Sequence, residues 1–403
     1  MFLAATRRRN PSLITAAVRL HTARRIPAGC YVVDIDTVAA NARLIADAAH
    51  ELGLVCWQMT KQFGRNPVVA QAVAAAGIEA VVAVEMAEAR VLHGSGLKIG
   101  HLGHLVQVPR GELDEALAME PEQLTVFGVE QAEAVGRAAA AAGVEQPVLV
   151  RVVGPDDRFF ATQRGGVPVE RVVEAAQAIE RIGGVRLDGV TSFPCLVWDD
   201  DAGEVVPTPN LATLVAARTA LRDAGFACPV LNAPGMSAVA TAALAAAAGA
   251  THVEPGSALI GETPWHAVND AHERPAMVYL SEITHELDGL AYTVGGGFYS
   301  RSRARGALVF PTPDAAPVEA AFVELPRTEI DYYGALRLPA GIPAPIGAAA
   351  VYAFRSQAFA TRAPIAVVAG VAGDEPEVVG VFARDGTLAM PARPGGAVRG
   401  GPQ

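Results

Sequence analysis

Lysine is nearly absent from this chain of 403 residues. Only Lys61 and Lys98 occur, and the other 30 of the 32 lysine and arginine positions are arginine. A guanidinium stays protonated in a protein, whereas a partly desolvated lysine can lose its proton and attack a carbonyl group. Lys61 ends an apolar run at 54–59. The alternative is an ordinary surface lysine at a strand end, but the rarity of lysine favours a chemical role for Lys61.

The chain also lacks an excess of positive charge. Its formal net charge is −10 at pH 7, which argues against a nucleic-acid partner or an anionic membrane surface, because both bind basic patches. The alanine-rich run at 238–250 is too short and too mildly apolar to cross a bilayer. We therefore expect neither nucleic acid nor membrane as a partner.

Closely spaced cysteine pairs are missing as well, and we expect no secretory leader. The four cysteines are widely spaced, with no Cys-x-x-Cys pair, which is typical of reduced thiols in a cytoplasmic protein. Residues 1–26 are rich in arginine and hold no continuous apolar core. We expect an amphipathic helix packed on the next domain there, with an organellar transit peptide as the alternative. The cysteines are Cys30, Cys56, Cys195 and Cys228.

Short runs of β-forming residues alternate with helical stretches through most of the chain. Eight such runs occur, and all but the last precede a segment with apolar residues three or four apart, as an amphipathic helix requires. Repeated β–α units predict an α/β fold, a (β/α)8 barrel of the TIM type, rather than an open doubly wound sheet. The runs lie at 54–59, 80–84, 99–106, 124–127, 148–153, 187–193, 229–231 and 251–253.

The pattern of apolar and polar residues changes after residue 263. Four later segments alternate apolar and polar residues between prolines and glycines, which predicts a C-terminal, mostly antiparallel β domain. A strand predicted at 31–35 belongs either to the barrel or to this β domain. The predicted parts are an N-terminal helical segment (1–29), the barrel (30–270), the β domain (271–390) and a disordered tail (391–403).

The ends of the predicted barrel strands carry the residues of chemical interest. In such barrels the active site lies at the C-terminal ends of the strands, and phosphate often binds the loops after strands seven and eight. Lys61 follows strand one. The turn Gly235-Met236-Ser237 follows strand seven and opens a helix, whose amides and dipole attract an anion, although a simple capped helix start would look the same. Glu254 and a second glycine turn, 255–261, follow strand eight.

These features resemble the fold-type III pyridoxal-phosphate enzymes, the superfamily of alanine racemase and of ornithine and diaminopimelate decarboxylases. The lead-in at 33–41 and Thr60-Lys61 are similar to that superfamily, and the motif at 60–67 (Thr-Lys-Gln-Phe-Gly-Arg-Asn-Pro) is similar to its bacterial YhfX-like group. The resemblance implies pyridoxal 5'-phosphate held as a Schiff base on Lys61, with its phosphate at Gly235-Met236-Ser237 and Gly256-Ser257. It also implies an amino-acid substrate, reaction at the α-carbon, most simply racemisation, and a homodimer.

Two departures from the alanine racemase pattern bear on the mechanism. Racemases of that type place an arginine where this chain has Glu254, whereas the decarboxylases carry Glu-Pro-Gly, and a glutamate there would keep the cofactor's pyridine nitrogen protonated. The family's ring-facing histidine on strand six is missing, so Thr191 or Ser192 takes its neighbourhood and His101 or His104 on strand three is a candidate for the ring side. Because residues three apart on a strand face opposite ways, we expect one histidine at the cofactor, the other in a structural role, and no metal site.

Racemisation needs an acid/base group on each face of the substrate, or one group that can swing. The resemblance implies Lys61 on one face and a β-domain tyrosine, often from the second subunit, on the other. Arg65 and Arg164 are candidates for pairing with the substrate carboxylate, and barrel-rim salt bridges would explain them equally. The candidate tyrosines are Tyr299, Tyr332 and Tyr333.

Three other functions are weighed against a racemase. A decarboxylase is favoured by Glu254 but lacks a cysteine in the β-domain loops. A pyridoxal-phosphate carrier without turnover would need no β domain to close its site. A metal-dependent barrel hydrolase would need a His-x-His or His-Glu pair at a strand end, and the sequence has none.

Overall fold

Two β-sheets, one parallel and one mostly antiparallel, organise the chain in this computed structural model, which describes residues 1–299, 302–324, 329–343, 345–373 and 375–391. The described helices are α1 (Phe2–Arg9), α2 (Pro11–Thr22), α3 (Ile35–Glu51), α4 (Pro67–Ala75), α5 (Met86–Gly94), α6 (Leu113–Ala118), α7 (Val129–Ala142), α8 (Val172–Ile179), α9 (Pro209–Asp223), α10 (Val239–Ala247) and α11 (Pro264–Val268). Short 3-10 turns lie at Lys61–Phe63, Arg110–Glu112, Val169–Arg171 and Ala358–Ala360.

The described strands are β1 (Cys30–Asp34), β2 (Val55–Cys56), β3 (Gln58–Met59), β4 (Ala80–Ala83), β5 (Lys98–Leu102), β6 (Gln123–Val126), β7 (Gln146–Val153), β8 (Val167–Pro168), β9 (Val185–Thr191), β10 (Leu196–Asp199), β11 (Glu204–Pro207), β12 (Val230–Asn232), β13 (His252–Val253), β14 (Met277–Leu287), β15 (Leu290–Val294), β16 (Gly306–Phe310), β17 (Val318–Val323), β18 (Tyr333–Arg337), β19 (Ala349–Tyr352), β20 (Ile365–Ala369), β21 (Glu377–Phe382) and β22 (Leu388–Pro391).

The parallel sheet is a nearly closed barrel, and helices α3 to α10 alternate with its strands. Its order is β2-β13-β12-β9-β7-β6-β5-β4-β3, so each of the eight predicted runs supplies a strand and the predicted (β/α)8 fold is confirmed. The first run is divided at Trp57 because β2 pairs with β13 on one side and β3 pairs with β4 on the other. This run therefore closes the ring.

The barrel interior is apolar below its C-terminal end. One compact cluster contains Trp57, Met59, Ala80, Val82, Leu149 and Val230, all buried. These residues alternate along their strands, as inward-facing positions do in a barrel. The interior is thus filled, and space for a ligand remains only above this layer.

The second sheet forms the predicted antiparallel domain. Six of its strands close on themselves, because β14 pairs with both β15 and β19, and the chain of pairs runs β15-β18-β17-β16-β19. The predicted strand at 31–35 is β1, and it lies in this sheet between β14 and β20. β16 was not predicted, because four of its five residues are buried and the apolar run shows no alternation.

The N-terminal segment is helical, and α2 packs against the outer face of the second sheet. Leu13, Ala17 and Leu20 of α2 share a buried cluster with residues of β1, β14 and β19. Asn10 separates the two helices by capping α2, where its side chain accepts the amide of Leu13. Within the described residues, every helix is too short or too polar to cross a membrane. Except for Pro391, the predicted tail lies outside the described residues.

Candidate active site

Lys61 lies where the first barrel run turns into α4. The strand ends at Met59, and Lys61 opens a 3-10 turn that Gly64 closes in the left-handed region, with φ of +71°. Asn66 then caps α4 by accepting the amides of the helix's first turn. The half-buried Lys61 side chain lines a cavity of about 1020 Å³. The cavity lies between the barrel's strand ends and the β domain, which supplies Tyr299 and Arg355 to its wall.

A buried carboxylate supports the lysine turn. Glu88 is fully buried at the start of α5, where its Oε1 accepts a 2.9 Å hydrogen bond from Thr60 Oγ1 and its Oε2 accepts the amide of Val84 at 2.8 Å. The Nε of Arg65 lies 3.8 Å from Oε1. Burial raises the pKa of Glu88, and the charge of Arg65 and the two hydrogen bonds act in the opposite direction. Glu88 therefore links Thr60, the residue before Lys61, to Val84 at the end of β4.

Glu254 lies at the end of β13 with its two carboxylate oxygens in different surroundings. Oε1 is 2.7 Å from Nδ1 of His101 and accepts a 2.8 Å hydrogen bond from Nδ2 of Asn232. Oε2 has no hydrogen-bond partner among the described residues, and Glu254 lines the cavity. Burial opposes ionisation, but the facing imidazoles and the two hydrogen bonds lower the pKa of Glu254 to about 2. The side chain is therefore a buried anion at physiological pH.

Both histidines of the third strand run lie beside Glu254, contrary to the expectation that they face opposite ways. The strand ends at Leu102 and Gly103 turns with φ of +78°, so alternation no longer applies at His104, whose Nδ1 is 3.3 Å from Glu254 Oε2. His104 lines the cavity, whereas His101 is fully buried behind Glu254. Burial lowers the pKa of His104 to about 3, so its ring is neutral. The side-chain nitrogen and oxygen atoms of these three residues that could bind a metal ion lie within 4.8 Å of one another. The spacing of the two histidines along a strand had predicted no such cluster.

At the end of strand six, Phe193 lies at the cavity, where the resemblance implied Thr191 or Ser192. Phe193 lines the cavity and its ring packs edge-on against His104, with 5.3 Å between centroids. Ser192 is buried beside Asn210, 3.5 Å from its Nδ2, and Thr191 Oγ1 accepts a hydrogen bond from Asn232. Neither Thr191 nor Ser192 lines the cavity. His104 and Phe193 therefore lie together on the cavity wall, whereas His101, whose ring also lies beside Glu254, is not part of that wall.

The turns after β12 and β13 lie side by side at the cavity. Ser237 joins them, since its Oγ donates to the carbonyl of Gly235 at 2.8 Å and accepts the amide of Glu254 at 3.2 Å. A Cβ at Gly235, which has φ of +148°, would lie 2.7 Å from the backbone of Leu196. A Cβ at Gly256 would lie 2.7 Å from Oε1 of Gln62. Gly235 therefore has no room for a side chain, and one at Gly256 would require Gln62 to move, so backbone lines this part of the cavity together with Met236 and Ser257.

The start of α10 contributes less to this anion site than the sequence indicated. Its first amide, that of Val239, donates to Glu273 Oε1 at 2.8 Å. Glu273 is fully buried, and its other oxygen lies 3.1 Å from Nε2 of His266. That amide is therefore committed to a buried carboxylate, and the amides available to an anion belong to the turns 235–237 and 255–257.

The three candidate tyrosines have different locations. Tyr299 lines the cavity. Tyr332 is 63% exposed and lies under the guanidinium of Arg362, with 5.0 Å from Cζ to the ring centroid. Tyr333 is 47% exposed and packs edge-on against His285. Within one chain, Tyr299 alone of the three reaches the cavity.

The two arginines predicted to bind a carboxylate lie elsewhere. Arg65 is paired with Glu85 at 2.5 Å and lies near Glu88, which directs its guanidinium away from the cavity. Arg164 is exposed over the ring of Phe159, 4.9 Å from its centroid. Four other arginines line the cavity, and one of them, Arg303, pairs with Asp200 at 3.1 Å. The cavity arginines are Arg158, Arg303, Arg305 and Arg355.

A parallel barrel with a strand-one lysine, a strand-eight acid and paired glycine turns, followed by an antiparallel β domain, defines the alanine racemase-like fold. Residues 33–264 match the family "Alanine racemase, N-terminal domain", and residues 278–378 match "YhfX-like, C-terminal domain". The chain belongs to the alanine racemase-like, fold-type III family of pyridoxal-phosphate proteins. Members of this family bind pyridoxal 5'-phosphate, and it is the cofactor of this chain.

The relatives are more specific about the group within this family. The chain is 40% identical to the protein YhfX of Escherichia coli (strain K12) over 382 residues, which cover 95% of this chain and 98% of that protein. Among solved structures, D-threonine aldolase from Filomicrobium marinum matches with a TM-score of 0.66 and 18% identity, over 90% of this chain and 98% of that one. Alanine racemase of Clostridium difficile 630 matches with a TM-score of 0.61 and 14% identity, over 89% and 99%. The two enzymes share the fold and differ in reaction.

The residues around the cavity fit the cofactor. The buried Oε2 of Glu254, which has no hydrogen-bond partner among the described residues, suits a protonated ring nitrogen, and the glycine turns bring backbone to the cavity wall, where amides can bind a phosphate. Lys61 lines the same cavity and suits an aldehyde.

Sequence reasoning missed several residues that build this site. Thr125 and Asn232 are buried polar residues within short apolar strands, and a polar residue in such a run is the signal that was available. Glu88 is also buried, but it lies between Glu85 and Arg90 in the sequence and carries no such signal. Arg355 follows a buried strand in the β domain, and no local pattern indicates that it lines a cavity beside barrel residues. Its position depends on how the two sheets meet.

Proposed function

We propose that this chain is a pyridoxal-phosphate-dependent enzyme that acts at the α-carbon of an amino acid and racemises it. The observation that carries the proposal is that one cavity is lined by Lys61, Glu254 and Tyr299. When bound, the cofactor supplies an electron-accepting ring that stabilises negative charge at the substrate's α-carbon. The chain's own residues then decide which bond is broken.

Two residues are assigned to proton transfer. Lys61 Nζ holds the cofactor at rest and takes the α-proton from one face of the substrate. Tyr299 Oη gives a proton to the other face, because inversion requires donors on opposite sides. The position of Tyr299 in the cavity supports this assignment over Tyr332 and Tyr333, which are exposed.

The ring and phosphate are assigned to the barrel. Glu254 Oε2 would accept a hydrogen bond from the protonated ring nitrogen and so keep the proton there, and the ionised state of Glu254 supports this role. The amides of the turns 235–237 and 255–257 bind the phosphate. His104 and Phe193 pack beside the ring.

We assign the substrate carboxylate to Arg355 in place of Arg65 and Arg164. Arg355 is half-buried, lines the cavity and is fixed at its backbone, where its amide donates to the carbonyl of Ser302 at 3.1 Å. A guanidinium in such a place can bind a carboxylate through two parallel hydrogen bonds. Exchanging it for lysine would keep the charge and lose this geometry.

Exchange of the α-proton with solvent tests the proposal directly. The cofactor-loaded protein is incubated in D2O with a panel of amino acids, and proton NMR follows the α-proton while chiral chromatography follows each enantiomer. We expect at least one amino acid to exchange its α-proton and to approach a racemic mixture, with no exchange by Lys61→Ala. A protein that binds the cofactor but exchanges no member of the panel would point to a carrier instead.

Decarboxylation is the second candidate, and Glu254 is the observation that favours it. The Glu-Pro-Gly sequence at 254–256 is similar to that of the family's decarboxylases. Release of carbon dioxide with formation of an amine would establish this reaction. Deuterium in unreacted substrate without carbon dioxide release would exclude it for the amino acid tested.

We also propose a cytoplasmic homodimer. The four cysteines are free thiols, as a reducing compartment allows. The β domain exposes large apolar side chains, at Ile330 (63%), Tyr332 (63%) and Ile346 (73%), which a second copy of the chain would cover.

A further inference from the structure

A continuous row of polar side chains crosses the barrel directly above its apolar interior. Its members are contributed by five different barrel strands or strand ends and are all buried. Each contacts the next through side-chain atoms within 2.5–3.2 Å. In order, the row consists of Thr125, His101, Glu254, Asn232 and Thr191, and we refer to it as the polar row.

The chemistry of the members fixes the direction of the hydrogen bond between His101 and Glu254. Ionised Glu254 can only accept, so Nδ1 of His101 carries a proton and donates it to Oε1 over 2.7 Å. The Nε2 of His101 lies 2.5 Å from the hydroxyl of Thr125, which can donate to a neutral ring or accept from a charged one. His101 therefore satisfies both neighbours in either charge state.

Asn232, the neighbour of Glu254 on the other side in the polar row, also donates a hydrogen bond to the carboxylate. Nδ2 of Asn232 donates to Oε1 over 2.8 Å and contacts Thr191 Oγ1 at 3.2 Å. Both bonds to the carboxylate thus fall on the same oxygen. The carboxyl group cannot rotate without breaking two buried hydrogen bonds, so Oε2 keeps one orientation toward the cavity.

We propose that His101 is a positioning residue, which acts through Glu254 to hold its carboxylate ionised and aimed at the cofactor's ring nitrogen. The inference rests on the proposed function, because it assigns the ring nitrogen to Glu254 Oε2. His101 itself does not touch the cofactor, since it lies behind Glu254 and outside the cavity wall. The sequence made His101 or His104 the candidate for the ring side, and for His101 this position behind Glu254 replaces that role.

His104 is distinguished from His101 by its contacts. His104 lines the cavity and packs against Phe193, and its Nδ1 lies near Oε2 rather than Oε1. A residue that orients Glu254 needs two contacts, one with the carboxylate and one with a neighbour that holds the residue itself in place, as His101 has with Glu254 and Thr125. His104 does not make them in the described structure.

The test measures the protonation state of the ring nitrogen rather than turnover alone. The protein is loaded with cofactor carrying 15N in the ring, and the 15N chemical shift reports whether that nitrogen is protonated. Three variants are compared: His101→Gln, whose amide can donate to Glu254 and accept from Thr125, His101→Leu, which can do neither, and Thr125→Val, which removes only the outer hydroxyl. Glu254→Gln gives the shift of the unpaired nitrogen as a reference.

We expect a protonated ring nitrogen in the unmodified chain and in His101→Gln. We expect His101→Leu to resemble Glu254→Gln, with cofactor affinity reduced at least tenfold and with kcat reduced more than KM is raised. Thr125→Val should lower the pH at which the ring nitrogen loses its proton. Because Thr125→Val removes one hydroxyl without changing shape, it remains informative if His101→Leu does not fold.

Different results overturn different statements. A ring nitrogen that is equally protonated in all three variants contradicts the role of His101 while leaving the proposed function intact. One equivalent of Zn2+ bound by the cofactor-free protein and lost in both His101 variants would make the residue a metal ligand and likewise contradict the inference. A chain that binds no cofactor at all would remove the proposed function and, with it, this inference.

Discussion

The two lysines of the chain have opposite surroundings. The side chain of Lys98 is 62% exposed and lies 2.5 Å from Glu122, which raises the pKa of Lys98. Lys61 is half-buried in a cavity wall, above the network of Thr60 and Glu88. A chemical role for a lysine requires a confined position that a substrate can reach, and Lys61 has such a position while Lys98 does not.

Replacing Glu254 by glutamine tests the carboxylate at the ring. Glutamine keeps the size of the side chain and loses its negative charge, so the chain would no longer hold a proton on the ring nitrogen. We expect kcat for α-proton exchange to fall by about 10²–10³-fold, as when other preorganised electrostatic contacts are removed. Steady-state exchange kinetics measure this, and the cofactor should remain bound. Unchanged kcat in the variant would show that Glu254 has no part in catalysis.

Activity should not respond to the titration of Glu254 or His104 at ordinary pH. The pKa of Glu254 is lowered to about 2 and that of His104 to about 3, so both keep one charge state from pH 5 to pH 9. A pH–rate profile that changes in this interval therefore reports another group. Profiles of the unmodified chain and of His104→Asn should have the same apparent pKa values, and a shift between them would contradict the neutral state of His104.

Removing the hydroxyl of Tyr299 tests whether different residues transfer protons on the two faces of the substrate. With Tyr299→Phe we expect racemisation to slow by about 10²–10⁴-fold, the usual contribution of a positioned acid or base. Exchange of one enantiomer's α-proton, which Lys61 performs alone, should be less affected. Tyr333→Phe is the matched control, since Tyr333 is exposed and packs on His285. Equal losses for the two variants would remove the assignment of Tyr299.

Single residues were predictable where their chemistry is rare or their position in the chain is special. The scarcity of lysine marks Lys61, and Glu254 ends the last barrel strand. The role proposed for His101 could not be predicted, because its partners Thr125 and Glu254 come from other strands. For Arg65 the alternative left open by the sequence, a salt bridge at the barrel rim, is the arrangement found, with Glu85 and Glu88 as partners. The contact of Arg164 with the ring of Phe159 was not anticipated.

At the scale of elements, one contact between the barrel and the β domain depends on a buried acid. Glu262 follows the glycine turn after β13, and its Oε2 accepts the amide of Ser356 at 3.0 Å. Burial raises the pKa of Glu262 to about 8, and the contacts to Ser356 only partly oppose this. The acid is therefore protonated in the folded protein at pH values where the unfolded chain is ionised.

This contact predicts a loss of stability as pH rises. Between about pH 4.5 and pH 8 the folded state binds a proton that the unfolded state does not, so the free energy of unfolding falls with pH and levels off above 8. The stability of Glu262→Gln relative to the unmodified chain should increase by on the order of 3 kcal/mol from pH 5 to pH 9. Urea unfolding at several pH values measures this difference. A difference that stays constant with pH would contradict the account.

The strands and helices of the barrel were predictable because their periodicities are strong. Each predicted run coincides with a strand, although the run at 99–106 ends early, at Leu102, where Gly103 turns the chain. β16 escaped prediction because burial removed its alternation. The division of the first run at Trp57 follows from closure of the ring, which no local pattern records.

At the scale of the molecule, the active site needs both sheets. Lys61 and Glu254 belong to the barrel, whereas Tyr299 and Arg355 belong to the β domain. The order of the barrel and the β domain was predictable from the change in the pattern of apolar and polar residues after residue 263. The entry of β1 into the second sheet was left open, because a short apolar strand carries no sign of its partner.

The proposed homodimer gives a prediction about how the sites are assembled. Sedimentation equilibrium should give a mass of twice the 41.7 kDa of one chain. Because Tyr299 lines the cavity of its own chain, mixed dimers of Lys61→Ala with Tyr299→Phe should regain no activity. Recovery of activity in the mixture would mean that Tyr299 serves the partner's site, and a monomeric mass would contradict the dimer.

Borohydride reduction of the cofactor-loaded chain tests the central claim most directly. Reduction fixes the cofactor on the lysine that carries it, and peptide mass spectrometry then locates the added mass on Lys61 or on Lys98, the two lysines of the chain. We predict that Lys61 carries the cofactor, that Lys98 carries none, and that the visible absorption of the bound cofactor is absent from Lys61→Ala. Added mass on Lys98, or on neither lysine, would contradict the assignment of this cavity as the pyridoxal-phosphate site.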